Sequence, residues 1–178
     1  MIALDTETTG LLRPQATELH LQPFIIEFAA AKFNNEFEIV DELQTFIKPP
    51  VPIPAEITQI TNITNDMVAD APPFALFYDE LCDFFLGEEY MFAHNCAFDA
   101  GMILYELRRM GVEHKFPWPK NQICTVEKSY AINNRRMNLK ELHKLATGKE
   151  EIKGAHRAMN DVHAMIEGIK FLSENKFL

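Results

Sequence analysis

The chain has 178 residues, 47% of them hydrophobic, with a net charge of -9 and three cysteines. This is enough apolar material for a packed core in a single domain, residues 1–178, and it excludes a disordered chain. No apolar run approaches about 18 residues, no signal-type start is present, and Cys82, Cys96 and Cys124 lack metal or disulfide spacing, so the expectation is a soluble cytoplasmic protein away from the membrane.

The first ten residues, Met1-Ile-Ala-Leu-Asp-Thr-Glu-Thr-Thr-Gly10, read as an apolar strand that carries Asp5 and Glu7 and breaks at Gly10. Residues two apart on a strand share a face, roughly 6.6 Å apart along the chain. Asp5 and Glu7 therefore point one way, and Ile2 and Leu4 the other. Two like charges that close are costly unless something positive sits between them, and a divalent metal ion is the usual solution. A pair of solvated acids is the commoner fate of an isolated Asp-x-Glu.

Residues 11–23 are polar, contain Pro14 and Pro23, and read as a loop. Residues 24–33 and 38–47 are strand-like and are separated by a turn at 34–36, so the first three strands suggest an antiparallel meander. The proline run at 49–54 ends it. Ile57, Ile60 and Ile63 suggest short helical turns, and a helix from about 74 to 85 presents Leu76, Phe77, Leu81, Phe84 and Phe85 as its apolar face. Residues 90–94 make a short strand.

His94-Asn-Cys-Ala-Phe-Asp-Ala-Gly-Met102 follows, with Asp99 near the start of a helix that ends at Gly111. Asp99 shares a face with Ile103, Leu107 and Met110, and an acid on an apolar stripe needs a reason; interaction with the helix N-terminus is one. Residues 123–126 form another short strand, leading into a helix. Residues 138–147 form an amphipathic helix capped by Asn138 and stopped by Gly148. In Gly154-Ala-His-Arg-Ala-Met-Asn-Asp-Val-His-Ala-Met165, Asp161 again aligns with apolar residues, Met165, Ile169 and Leu172, while His156 precedes it by five positions.

Charge is segregated along the chain. Residues 108–157 hold 12 Lys or Arg and 5 Asp or Glu, leaving 5 basic and 21 acidic residues elsewhere. Arg135, Arg136, Lys140, Lys144 and Lys149 cluster on or beside the helix at 138–147. Such a segment offers either a positive surface for phosphates or a merely solvated basic face.

Asp5-x-Glu7 in Leu-Asp-Thr-Glu-Thr-Thr-Gly, Asp99 in His-Asn-x-x-Phe-Asp, and His156 with four residues before Asp161 resemble the three motifs of the DEDDh, or DnaQ-like, exonucleases. That family includes the proofreading epsilon subunit of bacterial DNA polymerase III and RNase T. Residues 24–30, 62–68 and 139–142 also look like its intervening segments. A sister group has a tyrosine in the third motif; this chain has Arg157 four residues before Asp161, and the histidine subgroup fits.

The resemblance implies an α/β RNase H-like fold, a central mixed sheet with its first three strands antiparallel and the others parallel, flanked by helices. It implies two-metal hydrolysis of phosphodiester bonds from a 3′ end, with two Mg²⁺ or Mn²⁺ ions and release of nucleoside 5′-monophosphates. Asp5, Glu7, Asp99 and Asp161 would be the metal-site acids, Asp5 bridging two ions and Asp99 acting partly through water, with His156 as general base. Thr6, Thr8, Thr9, Gly10, Leu11, Asn95 and Phe98 would approach the terminal nucleotide, Leu11 or Leu12 wedging against its base; core packing is the alternative for Phe98 and Leu11. Polymerase-associated members often have His-Gly-Ile where this chain has Thr61-Asn62-Ile63. DNA with single-stranded or mismatched ends is the leading substrate, RNA the alternative, and an inactive nucleic-acid-binding module the third reading. Because the sequence stops soon after the third motif, a free-standing or differently recruited enzyme is expected, with a second copy or a replicative polymerase as candidate protein partners.

Overall fold

A run as apolar as Ile25-Ile-Glu-Phe-Ala-Ala-Ala-Lys-Phe33 is satisfied only where both faces of a sheet are covered. In the computed structural model, which describes residues 1–154 and 157–178, it forms the strand second from one edge. The strands are β1 (Ile2–Thr8), β2 (Ile25–Phe33), β3 (Ile39–Phe46), β4 (Tyr90–Ala93) and β5 (Asn121–Cys124), in spatial order β3-β2-β1-β4-β5. The β1–β2 and β2–β3 pairs are antiparallel, whereas β1–β4 and β4–β5 are parallel. The mixed sheet with an antiparallel first half is thus the one the resemblance implies.

A short 3-10 turn spans Leu19–Leu21, and helices α1 (Ala55–Thr61), α2 (Phe74–Phe85), α3 (Cys96–Met110), α4 (Thr125–Asn133), α5 (Leu139–Thr147) and α6 (Ala158–Glu174) complete the described elements. Strand alternation divides the core. Ile2, Leu4, Phe28 and Ala30 pack with Phe77, Leu81 and Phe85 of α2 and Ile103 and Leu107 of α3. Ala3, Ala29, Ala31 and Phe33 pack with Val162, Met165 and Ile169 of α6. The alanines matter because a small side chain lets α6 lie close to the sheet, which brings the start of that helix to the C-terminal half of β1.

Two features of the helical readings change. Leu76 is 76% exposed, and Phe74, two residues earlier, takes the buried place beside Phe77 and Leu81. Likewise Ile60 is exposed while Thr61 and Ile63 are buried, because α1 ends at Asn62 in the left-handed conformation (φ 60) and turns Ile63 inward. The capping of α5 is as read: Asn138 accepts from Glu141 N at 2.9 Å, and Glu141 Oε2 accepts from Asn138 N at 3.0 Å. Among the described residues no helix is long and apolar enough to cross a membrane.

Candidate active site

Pairing between β1 and β4 runs only through Ile2 with Met91 and Ala3 with Phe92. Beyond Ala3 the β4 side of β1 lacks a strand neighbour, and its backbone needs other partners. Asn95, in the left-handed conformation (φ 79), turns the chain from β4 into α3, and the first turn of that helix carries Asp99. Asp99 is 2% exposed, and its Oδ1 accepts from Thr6 N at 3.0 Å and Thr6 Oγ1 at 2.8 Å. A side chain thus takes the place of a strand and fixes the peptide between Asp5 and Glu7.

Asp5 and Glu7 face the α6 side of β1, where Asp161 arrives in the first turn of α6. One carboxylate oxygen from each of Asp5, Glu7 and Asp161 lies within 4.8 Å of the others. All three are half-buried. Burial, then repulsion from Asp99, Glu7, Asp161 and Glu27, holds the Asp5 carboxyl well above the usual carboxylate range. Glu7 is pushed up to about 8, by burial first and then by Asp161, Glu27 and Asp99, with Arg157 opposing. Asp99 is raised to about 7 by burial, against the hydrogen bonds from Thr6. Such a cluster of proton-hungry oxygens can accept a hard divalent cation in place of protons.

Asp5, Glu7 and Asp161 therefore lie together in space, with Asp99 bonded to Thr6 between Asp5 and Glu7 in sequence, while His156 lies outside the described residues. The threonines are more committed than their sequence suggests. Thr6 Oγ1 is held by Asp99, Thr8 Oγ1 donates to Gly10 O at 2.7 Å, and Thr9 Oγ1 accepts from Phe24 N at 2.9 Å. Leu11, at 79% exposed, is the large apolar side chain that this turn offers to solvent. Leu12 turns inward, packs on the core, and lies where a Cβ added to Gly101 would sit 2.8 Å from its Cδ1. Asn95 is exposed, and Phe98 is half-buried against the core.

Two basic side chains serve this region structurally. Arg109 of α3 donates to the carbonyls of Leu19, Gln22 and Pro23 at 3.1, 2.9 and 2.8 Å and lies 3.9 Å from the Phe24 ring, tying down the loop that follows Gly10. His94 is kept neutral, its imidazole lowered to about 4 by burial, with Nδ1 2.8 Å from Thr125 Oγ1. Four further cations of the basic segment are paired at the surface. Arg135, Arg136, Lys140 and Lys144 lie 2.9, 2.7, 3.5 and 2.7 Å from Glu141, Glu127, Glu151 and Glu150.

Glu27 has no place in the sequence reading of the site. It sits opposite Glu7 in the β1–β2 register and is 1% exposed. The signal available was a lone acid within the otherwise apolar β2 run.

The RNase T model, described as an exonuclease, matches residues 2–168. A PolC-type DNA polymerase III of Clostridium perfringens is 33% identical over 171 residues, covering 96% of this chain and 11% of the polymerase, so the chain spans about a tenth of that relative. Exonuclease X in complex with 5′ overhanging duplex DNA superposes with a TM-score of 0.69 at 21% identity, covering 98% of this chain and 91% of that one. A 3′-exonuclease recognising the 3′ end of a histone mRNA stem-loop gives a TM-score of 0.79 at 16% identity, over 99% of this chain and 64% of its own.

Proposed function

The chain belongs to the RNase T exonuclease family, and we propose that residues 1–178 act as one metal-dependent 3′-to-5′ exonuclease domain that removes nucleotides from DNA ends by hydrolysis. The observation that carries this reading is the gathering of Asp5, Glu7 and Asp161 within 4.8 Å beside a buried Asp99. Burial and repulsion between these acids raise the Asp5 and Glu7 carboxyls, and a divalent cation would relieve that repulsion. The acids fit Mg²⁺ or Mn²⁺ by charge and by donor type.

Asp5, Glu7 and Asp161 would hold the ions. Asp99 commits Oδ1 to Thr6 and would complete the anionic site partly through water. When bound, the ions supply positive charge that keeps these acids ionised and acidify a water. His156, assigned from its sequence position, takes the proton of the attacking water; an imidazole with an unperturbed pKa of about 6.5 suits that task near neutral pH. The exposed Leu11 lies against the terminal base, where an apolar surface favours an unstacked single strand.

DNA is favoured by the likeness to a DNA polymerase at 33% identity. RNA is the second reading, supported by the overlap with an mRNA-end exonuclease, because carboxylates alone do not distinguish the sugars. The test is degradation of end-labelled single-stranded DNA and RNA of matched sequence with Mg²⁺, Mn²⁺ or EDTA, beside Asp161→Ala. Stepwise metal-dependent shortening of DNA, absent in the variant, is expected. Faster loss of RNA would transfer the proposal to that substrate, and no shortening of either would end it.

A further inference from the structure

Glu27 and Glu7 oppose each other across β1 and β2, and residues directly opposite in an antiparallel pair project to the same face. Glu27 therefore points toward the acidic cluster, buried, and without partners it would be a severe liability. Its partners come from two other elements. Gln44 of β3 donates to Glu27 Oε1 at 2.8 Å. Arg157 donates from Nη2 to Oε1 at 3.0 Å and from Nε to both oxygens at 3.3 Å, and Ala158 N donates to Oε2 at 3.3 Å. The guanidinium also lies 5.2 Å from the centroid of Phe46. With both oxygens engaged in this way, Glu27 falls outside the metal-capable group of Asp5, Glu7 and Asp161.

Arg157 is held by its main chain as well. Its carbonyl accepts from Asn160 N at 2.9 Å and Asp161 N at 3.2 Å, which opens α6. It is bonded to His156 on one side and enters the helix that carries Asp161 on the other. We propose that Glu27, Gln44 and Arg157 form a clamp of positioning residues that fixes the start of α6, and so sets Asp161 in register with Asp5 and Glu7. The clamp rests on the exonuclease reading above and assigns a task within it. Burying the Glu27 carboxylate carries a desolvation cost that an apolar side chain of the same size would not, so stability alone does not explain a carboxylate here. The planar fork of Arg157, which grips both oxygens of one carboxylate, fixes orientation in a way a point charge cannot.

The experiment compares wild type with Glu27→Gln, Arg157→Gln, the double variant and Arg157→Lys. It reads kcat and KM on end-labelled single strands, Mn²⁺ affinity of the metal-free proteins by calorimetry, and thermal unfolding. Each Gln variant should lose about 10- to 100-fold in kcat at saturating Mn²⁺ and about tenfold in Mn²⁺ affinity, with KM within about threefold. The double variant should be no worse than about the weaker single, because both remove one device. Arg157→Lys should recover only part of the loss. Wild-type kcat and Mn²⁺ affinity in Glu27→Gln would overturn the clamp, as would losses that vanish when rates are scaled to folded protein. Should Glu27→Gln fail to fold, Arg157→Gln decides, since its side chain is 38% exposed. An inactive wild type would instead bring down the exonuclease reading, a result distinct from either.

Discussion

The molecule concentrates like charge in two places and treats them in opposite ways. On and around α4 and α5, Arg135, Arg136, Lys140 and Lys144 each meet a glutamate within 4.0 Å at the surface, although the sequence there is strongly basic. Around β1, by contrast, Asp5 and Glu7 have carboxyl groups raised by burial and by repulsion from neighbouring acids, and that of Asp99 is raised by burial. Surface chains are long and free to find partners, so their charges cancel locally and do little. Acids fixed by a strand and two helix starts cannot relax. They store an affinity for whatever cation arrives.

The sharpest test of that contrast is loss of an acid. Asp5→Ala or Asp161→Ala should reduce exonuclease turnover by at least about a thousandfold and abolish the heat of Mn²⁺ binding; a variant with wild-type turnover would leave the cluster with no task. Next, His156→Ala should cut kcat by about 10²- to 10⁴-fold while leaving Mn²⁺ affinity within about threefold, which separates holding the ions from moving the proton. If its kcat stays near wild type, the ions alone activate the water.

Stability should register the same contrast through pH. Glu7 moves from 4.5 to about 8 and Asp99 from 3.8 to about 7, so between those values the folded protein binds more protons than the unfolded chain. Their contribution to stability therefore falls as pH rises from about 4 to 8. Metal-free protein should melt at a lower temperature at pH 8 than at pH 5. Mg²⁺ should raise the melting temperature more at pH 8, and Glu7→Gln should flatten the metal-free profile. A rising profile that Glu7→Gln leaves unchanged would contradict strain at the site.

The effects then shrink. Leu11→Ala should raise KM for single strands by roughly two- to tenfold with kcat nearly unchanged, as expected of a stacking contact at the edge of the site. Smallest of all, Lys140→Gln with Lys144→Gln should change KM by less than about twofold and leave its dependence on salt unaltered. A loss of about one unit of salt slope per lysine would show that these cations touch phosphates and that the two regions cooperate.

How much of this was legible in the sequence follows from the range of each interaction. Alternation along β1 placed Asp5 and Glu7 on one face, and helical spacing placed Asp99 and Asp161 beside apolar stripes, because these are local periodicities. The cap at Asn138 and the stop at Gly148 were legible for the same reason. The fate of the basic segment was not, since counting charges along a chain does not reveal that Lys140 meets Glu151 across a turn. Glu27 was the more instructive miss. Its partners lie 17 and 130 residues away, at Gln44 and Arg157. Leu76 was misplaced on α2 because the helix is rotated so that Phe74 enters the core, where its ring meets Phe77, which in turn lies on Phe28.

The position of β1 at the middle of five strands carries a consequence for how the protein fails. Amides in the central strand of a sheet exchange with solvent only when the whole structure opens, whereas edge strands such as β3 and β5 breathe on their own. The strand that carries Asp5 and Glu7, held beyond Ala3 by β2 on one side and by Asp99 on the other, should therefore be among the last parts to loosen. Mutations that weaken the periphery should lower the number of working molecules and leave each survivor with its full affinity for metal, so damage will appear as an all-or-none loss and not as a gradual blunting.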